Sequence, residues 1–276
     1  MIAPLTPTIQ GWLDTYLAER DVKPSTARAY RCAVKRFVDF AGPTSIDAAA
    51  GKLNDFIRFR CDGGSRHTAH FYRRALLAII RAAHDADLCE LPKRIRPVKL
   101  AAHEPVGFST EEIKRLIAHA TPLQRAAIML VWDTGIRRGD VFRTKWANIY
   151  NGNRLRIVVG KNGKRHSAMI RPETLAACSA VQDFSGLLIP YHYSLSSWNK
   201  AWRKLGRLSG VNVNRRGLQS IRRTAASMVA RVQGVGTAAQ FLGHSAGSGI
   251  AVVTRYYLVP GLLDDSPPAP PPLDAP

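Results

Sequence analysis

The chain has 276 residues, with 40 Lys+Arg against 20 Asp+Glu and a formal net charge of +20. That length accommodates two ordinary domains with separate cores, and a basic excess that recurs in clusters disfavours a small-molecule enzyme and points to a polyanionic partner. Cys32, Cys61, Cys89 and Cys178 are too scattered for a zinc site or a disulfide framework, which fits a reducing cytosol. The first residues lack the pattern of a signal peptide, and the longest apolar run, Ala126 to Trp132, is too short to span a bilayer, so no membrane association is expected.

Ile9, Trp12, Leu13, Tyr16 and Leu17 have the spacing of an amphipathic helix. A second helix is predicted after Pro24, capped by Ser25 or Thr26 and stopped by Gly42-Pro43, with Tyr30, Val34, Phe37 and Val38 inside. Its other face carries Arg28, Arg31, Lys35 and Arg36. Such a face is often merely solvated, but basic residues beside a core stripe also suit a helix lying along a phosphate backbone. A third helix is predicted over Leu53 to Phe59. A fourth starts near Ser65, with Phe71, Ala75, Leu76, Ile79 and Ile80 inside and Arg66, Arg73, Arg74 and Arg81 mostly outside. His67 and His70 have no acidic or cysteine partner nearby and read as surface residues, so no metal is expected. Residues 1–90 thus form a small all-α domain. Residues 91–107 read as a basic linker, with Lys93, Arg94, Arg96 and Lys99 placed to meet phosphates.

The second domain, 108–259, opens with a capping box, Ser109-x-x-Glu112, ahead of Ile113, Leu116 and Ile117. Thr121-Pro122 starts a buried helix that ends at Gly135, making a rigid mount for Arg137. Asn151-Gly152 and Asn162-Gly163 are the strongest hairpin turns in the chain, and they predict a three-stranded antiparallel sheet with strands at 154–160 and 165–170. Helices are expected at 172–180 and 195–208, with Trp198 and Trp202 as core rather than a base-stacking platform. Arg215 and Arg216 follow, available to phosphates. Residues 260–276 are rich in proline and are expected to be extended or disordered.

Four segments carry chemistry: Thr134-Gly135-Ile136-Arg137-Arg138-Gly139-Asp140, then Leu218-Gln219-Ser220-Ile221-Arg222-Arg223-Thr224-Ala225, then Leu242-Gly243-His244-Ser245, then Thr254-Arg255-Tyr256-Tyr257. A guanidinium matches two phosphate oxygens, an imidazole can donate near neutral pH, and a phenol can attack phosphorus if its oxyanion is stabilised. Each motif alone is weak, but four in this order are hard to obtain by chance.

Together they resemble the signatures of the tyrosine recombinase (phage integrase) family. The resemblance implies a mainly α fold with a small antiparallel β-sheet. It would comprise an N-terminal helical, SAM-like core-binding domain and an α+β catalytic domain, clamping a duplex from opposite sides. It implies a phosphate clamp of Arg137 and Arg222, a hydrogen bond from His244, and Lys161 as general acid, with Lys164 the alternate. Tyr257 would be the nucleophile, chosen over Tyr256 by Thr-x-x-Tyr spacing, and would leave a 3′-phosphotyrosyl link that is religated without metal or ATP. The implied partners are double-stranded DNA and further copies of the chain, a dimer on a site and a tetramer at synapsis, in a bacterial or phage-host nucleoid. A type IB topoisomerase-like enzyme and a DNA-binding relative that has lost catalysis are the alternatives.

Three departures bear on these expectations. Gln219 stands where the family usually has His, which removes a general base. The interval from His244 to Tyr257 is longer than usual and holds Ala246-Gly-Ser-Gly249, implying a flexible tyrosine segment. The tail lacks the helix that many relatives dock on a neighbouring subunit.

Overall fold

The computed structural model describes residues 6–101, 104–160, 163–244, 248–259 and 262. The chain divides into two compact units, Met1–Ala102 and His103–Pro276. Lys161 and the proline-rich tail beyond 262 lie outside the described residues.

The first unit is a bundle of α1 (Ile9–Ala18), α2 (Pro24–Ala41), α3 (Ile46–Asp62) and α4 (Arg66–His84). The hydroxyls of Thr8 and Ser45 accept backbone N–H groups in the first turns of α1 and α3, satisfying donors that a helix start leaves unpaired. Phe37 and Phe56 are fully buried and meet edge to face with centroids 5.3 Å apart, and the Trp12 indole donates to the Ile79 carbonyl at 3.1 Å.

Three expectations need correction here. Helix α3 begins at Ile46, not Leu53, because Ser45 caps it and the small side chains of Ala49 and Ala50 pack tightly without a bulky apolar stripe to announce them. Helix α2 starts at Pro24 itself, after Lys23, so Ser25 and Thr26 lie within the helix and cap nothing. Phe71 is 40% exposed, and its neighbour Tyr72 takes the inward position.

The expected linker is strapped onto this unit over its first half. The Asn54 amide donates to the Arg94 carbonyl at 2.7 Å and accepts from the Arg96 N–H at 2.8 Å, while Arg73 Nε donates to the Arg96 carbonyl at 2.9 Å. Leu91, Ile95 and Val98 pack against the bundle core. Lys93, Arg94, Arg96 and Lys99 remain exposed, as do Arg28, Arg31, Lys35 and Arg74. Lys35 also pairs with Asp39 at 3.0 Å, an exposed contact of little energetic weight.

The second unit holds α5 (Thr110–His119), α6 (Pro122–Thr134) and the short α7 (Arg138–Val141). A sheet follows, of β1 (Ile149–Tyr150), β2 (Arg154–Val158) and β3 (Arg165–Met169), and then α8 (Pro172–Ser179), α9 (Leu195–Ser209), α10 (Leu218–Phe241) and α11 (Ser248–Tyr256). The strands are antiparallel in the order β1-β2-β3, with Leu155 facing Ile149 on one side and Ala168 on the other. Asn151 and Gly152 adopt φ of 46° and 78°, as a tight hairpin turn requires. The fold is therefore mainly α with a small antiparallel sheet, as the sequence predicted.

Helix α6 is buried nearly throughout and runs against α10. Trp198 and Trp202 are 2% and 5% exposed and belong to the core of the unit. Two bonds hold Thr224 of α10 to the backbone of Phe108, at 2.8 and 3.0 Å, and the Ser227 hydroxyl accepts the Val259 N–H at 2.9 Å. Both Glu112 oxygens accept from Arg216 at 2.8 and 2.9 Å, and that guanidinium also donates to the carbonyls of Gly107 and Asn212 while lying over the Phe108 ring. Arg216 is thus an internal tie between α5 and the start of α10, its guanidinium engaged by protein groups while it also lines a cleft with Arg137 and Arg215. No helix among the described residues is long and apolar enough to cross a membrane.

Replacing Phe56 by Ala should lower the unfolding free energy by ~3–5 kcal/mol in urea titrations, because a ring in a closed core leaves a cavity. Burial alone would raise the Glu112 pKa, but hydrogen bonds from Arg216 and the Ser109 N–H, with the charges of Arg216 and Arg115, hold it below 4.5. Because folding depresses this pKa, its stabilising contribution is complete above about pH 4.5 and is lost as pH falls through the folded value. The Glu112→Gln protein should therefore be less stable than wild type at neutral pH, with the gap closing on acidification.

Candidate active site

Helix α6 ends at Gly135, whose φ of 59° is left-handed and suited to glycine. A Cβ there would come within 2.6 Å of the Phe241 ring, so the residue also lets two helix ends approach closely. Buried Ile136 anchors the next step, and Arg137 follows as the N-terminal flank of α7, half-buried. Asp140 accepts from Arg143 at 2.5 Å and from the Gly160 N–H at 3.1 Å, tying α7 to the far end of β2.

Arg222 projects from the first turns of α10 into the interior and is 1% exposed. Its guanidinium donates to the Leu242 carbonyl at 3.0 Å and lies 5.2 Å from the centre of the Tyr257 ring. Burial pulls its pKa down to about 10, with Arg137 pushing the same way and Tyr257 opposing, so it stays cationic at neutral pH. Among the described residues its Nε has no hydrogen-bond partner.

Tyr257 sits just past α11, half-buried, its ring 5.5 Å from that of His244 and nearly perpendicular to it. Burial alone would raise its phenol, but the charges of Arg222 and Arg137, with hydrogen bonds from Arg222 and Gln219, together hold it below 10. Tyr256 points elsewhere, 40% exposed with Arg255 over its ring. Gly249 packs against His244, where a Cβ would lie 2.9 Å from that of the histidine. Ser248 and Gly249, expected in a flexible gap, open α11 instead, while Ala246 and Gly247 lie outside the described residues.

The structure thus brings Arg222, Gln219, His244 and Tyr257 together within the electrostatic reach of Arg137. Beside them lies a cleft of about 840 Å³ lined by Arg137, Arg138, Arg203, Arg215, Gln219 and Arg223, among others. Of these, Arg203 escaped the sequence reading, because a lone arginine on a helix gives no sign of which cleft it faces, while Arg138 and Arg223 stood in the quoted motifs beside Arg137 and Arg222 without a role of their own. Asp140 and His166 were also missed. The first sits three residues after Arg137 in the quoted motif. The second has the inward parity of β3, whose alternation buries it at 4% exposure. Among the described residues no three His, Cys, Asp or Glu side chains could hold a metal ion.

Gly243 has φ of 64°, and a Cβ there would come within 2.6 Å of His166 Nδ1. Gly243→Ala should therefore cost about 1–3 kcal/mol of stability from backbone strain, with overlap adding to it, as measured by thermal unfolding.

Residues 108–259, more than half of the chain, match the profile of the phage integrase family. The tyrosine recombinase XerA of Thermococcus kodakarensis is 26% identical over 166 residues, which cover 59% of this chain and 57% of that protein. Its counterpart from Thermococcus onnurineus is 24% identical over the same length, covering 59% and 56%. The matched region therefore spans little more than half the length of these relatives. The fold is similar to that of lambda integrase crystallised as a tetramer on a Holliday junction, with a TM-score of 0.75, 18% identity and coverage of 91% of this chain and 78% of that one. It is also similar to the Tn1549 transposon integrase in complex with circular intermediate DNA, with a TM-score of 0.65, 14% identity and coverage of 90% and 95%. By the extent of its match to the family profile, the chain belongs to the phage integrase family.

Proposed function

We propose that the protein is a site-specific recombinase that cuts and rejoins duplex DNA through Tyr257. The observation that carries this reading is the phenol of Tyr257 set against a buried cation, Arg222, with Gln219 donating to the same oxygen and Arg137 within electrostatic range. A phenol held in this way can reach its nucleophilic form without a strong base beside it, which answers the missing histidine at 219.

In the proposed reaction the Tyr257 phenol gives up its proton to solvent, its oxygen attacks a backbone phosphorus, a new O–P bond forms, and the bond to the 5′ oxygen breaks. The 3′ end stays on the enzyme as a phosphotyrosyl ester. Negative charge gathers on the non-bridging oxygens, where Arg137 and Arg222 form the clamp and His244 adds a hydrogen bond. The leaving 5′ oxygen takes a proton, a role the family resemblance gives to Lys161, which lies outside the described residues. Religation runs the same steps backward, since the ester retains the energy of the bond it replaced.

The arginine-lined cleft supports a duplex partner, and so does the exposed basic face of α2 with Arg28, Arg31 and Lys35. Arg73, Arg74, Lys93, Arg94, Arg96, Lys99 and Arg215 are proposed to join this footprint. Self-assembly, as a dimer on one site and a tetramer at synapsis, is proposed from the likeness to the lambda integrase tetramer bound to a Holliday junction.

The test uses nicked suicide duplexes tiled from the DNA flanking the coding region, resolved on denaturing gels. Wild type and Tyr256→Phe should form a covalent adduct and Tyr257→Phe none, while Arg222→Gln should slow adduct formation by ~10²–10³-fold. An adduct from Tyr257→Phe would refute the nucleophile assignment. On a two-site plasmid, recombinant joints are expected; relaxed circles alone would favour a topoisomerase-like activity.

A further inference from the structure

His166 lies behind the site, on β3, and none of the roles assigned above uses it. Its ring is 4% exposed and touches two of the segments that carry the clamp. Nε2 is 2.8 Å from the carbonyl oxygen of Thr134, the last residue of α6 and the root of the Gly135-Ile136-Arg137 turn. Because a carbonyl only accepts, Nε2 carries the proton. The opposite edge of the ring, at Nδ1, faces Gly243, the residue before His244.

The same small region holds two other close approaches. Gly135 meets the Phe241 ring, and Arg222 donates to the carbonyl of Leu242. The end of α6 and the turn after α10 are therefore pressed together through glycines at 135 and 243. The imidazole fills the gap between the Thr134 carbonyl and Gly243. Its own charge state suits that place, since burial first, with Arg222 and Arg137 adding to it, disfavours a second proton and outweighs the Thr134 carbonyl and Asp140, which favour one.

We propose that His166 is a positioning residue, a neutral strut that fixes the Arg137 turn relative to the Leu242-Gly243-His244 turn so that both address one phosphate. This rests on the strand-cleaving reading above. It adds that the clamp's geometry depends on a hydrogen bond from β3 to the end of α6, and that ring volume alone is insufficient. A strut of this kind touches neither phosphate nor phenol, so losing it should slow chemistry without weakening the hold on DNA.

Three variants separate donor from volume. Phe keeps a ring of similar size without the N–H. Gln carries an amide nitrogen to about the place of Nε2, whereas Asn stops near the place of Nδ1 and cannot reach Thr134. At saturating nicked duplex, His166→Phe and His166→Asn should slow adduct formation by about a hundredfold, the scale of a small misplacement of catalytic groups. His166→Gln should recover to within about fivefold of wild type, and duplex Kd should change by less than about threefold in all three.

The same proteins are titrated with orthovanadate, a phosphate-sized oxyanion, by ⁵¹V NMR. Affinity should fall by about tenfold in the Phe and Asn variants and be restored in Gln. Should the Phe protein fail to fold, the Gln and Asn pair decides. Equal cleavage and equal vanadate affinity in Gln and Asn would overturn the proposal, as would a loss of duplex affinity that tracks the loss of cleavage. A wild-type protein that binds vanadate yet forms no adduct would refute strand cleavage alone, leaving the vanadate comparison to decide the strut.

Discussion

The placement of one cation inside the second unit governs the rest. Arg222 is 1% exposed, and removing a guanidinium from water is costly unless its donors are met and a negative partner is at hand. The Leu242 carbonyl meets one donor, and the Tyr257 phenol supplies a partner that can itself become anionic. The two groups solve each other's problem: the cation lowers the phenol, and the phenol supports the cation. Under the proposed function the same pair would meet a phosphodiester, whose oxygens such a buried charge favours.

Keeping that charge in place requires a rigid mount. Helix α10 is fastened near its start by the Arg216–Glu112 pair, along its length by Thr224 on the Phe108 backbone, and at Ser227 by the Val259 N–H that follows Tyr257. The last bond ties the chain that carries the phenol to the helix that carries the guanidinium. At Gly234 the helix breaks, with φ of 83° and ψ of 161°, and the stretch beyond it returns to the Leu242-Gly243-His244 turn. Gly107 serves the same packing, since a Cβ there would lie 2.7 Å from both Thr224 and Val259.

Much of this was legible in the sequence, for identifiable reasons. The capping box at Ser109, the helix start at Thr121-Pro122, the hairpin glycines and the apolar helix ahead of Gly135 are local signals, and local signals survive without tertiary context. A three-residue spacing singled out Tyr257 over Tyr256, and in the fold the Tyr257 ring lies beside His244 while Arg255 lies over that of Tyr256. What escaped depended on distant partners. Arg216 looked like an open basic residue because Glu112 lies far away along the chain, and half of the expected linker is fixed by Asn54 and Arg73, which reach its backbone from distant helices. The start of α3 was hidden by alanines, which pack well but give no amphipathic stripe. His166 needed the glycine at 243 before its position meant anything.

The central claim is that Arg222 activates Tyr257 through their shared burial, and the phenol's own titration tests it most directly. With ¹³C-ζ-tyrosine incorporated and the Tyr257 signal assigned by its loss in a Tyr257→Phe protein, NMR across pH should find this phenol titrating below 10, moving upward when Arg222 is replaced by Gln. A Tyr257 that titrates at or above 10 in the native protein, unmoved by the loss of Arg222, would contradict the account.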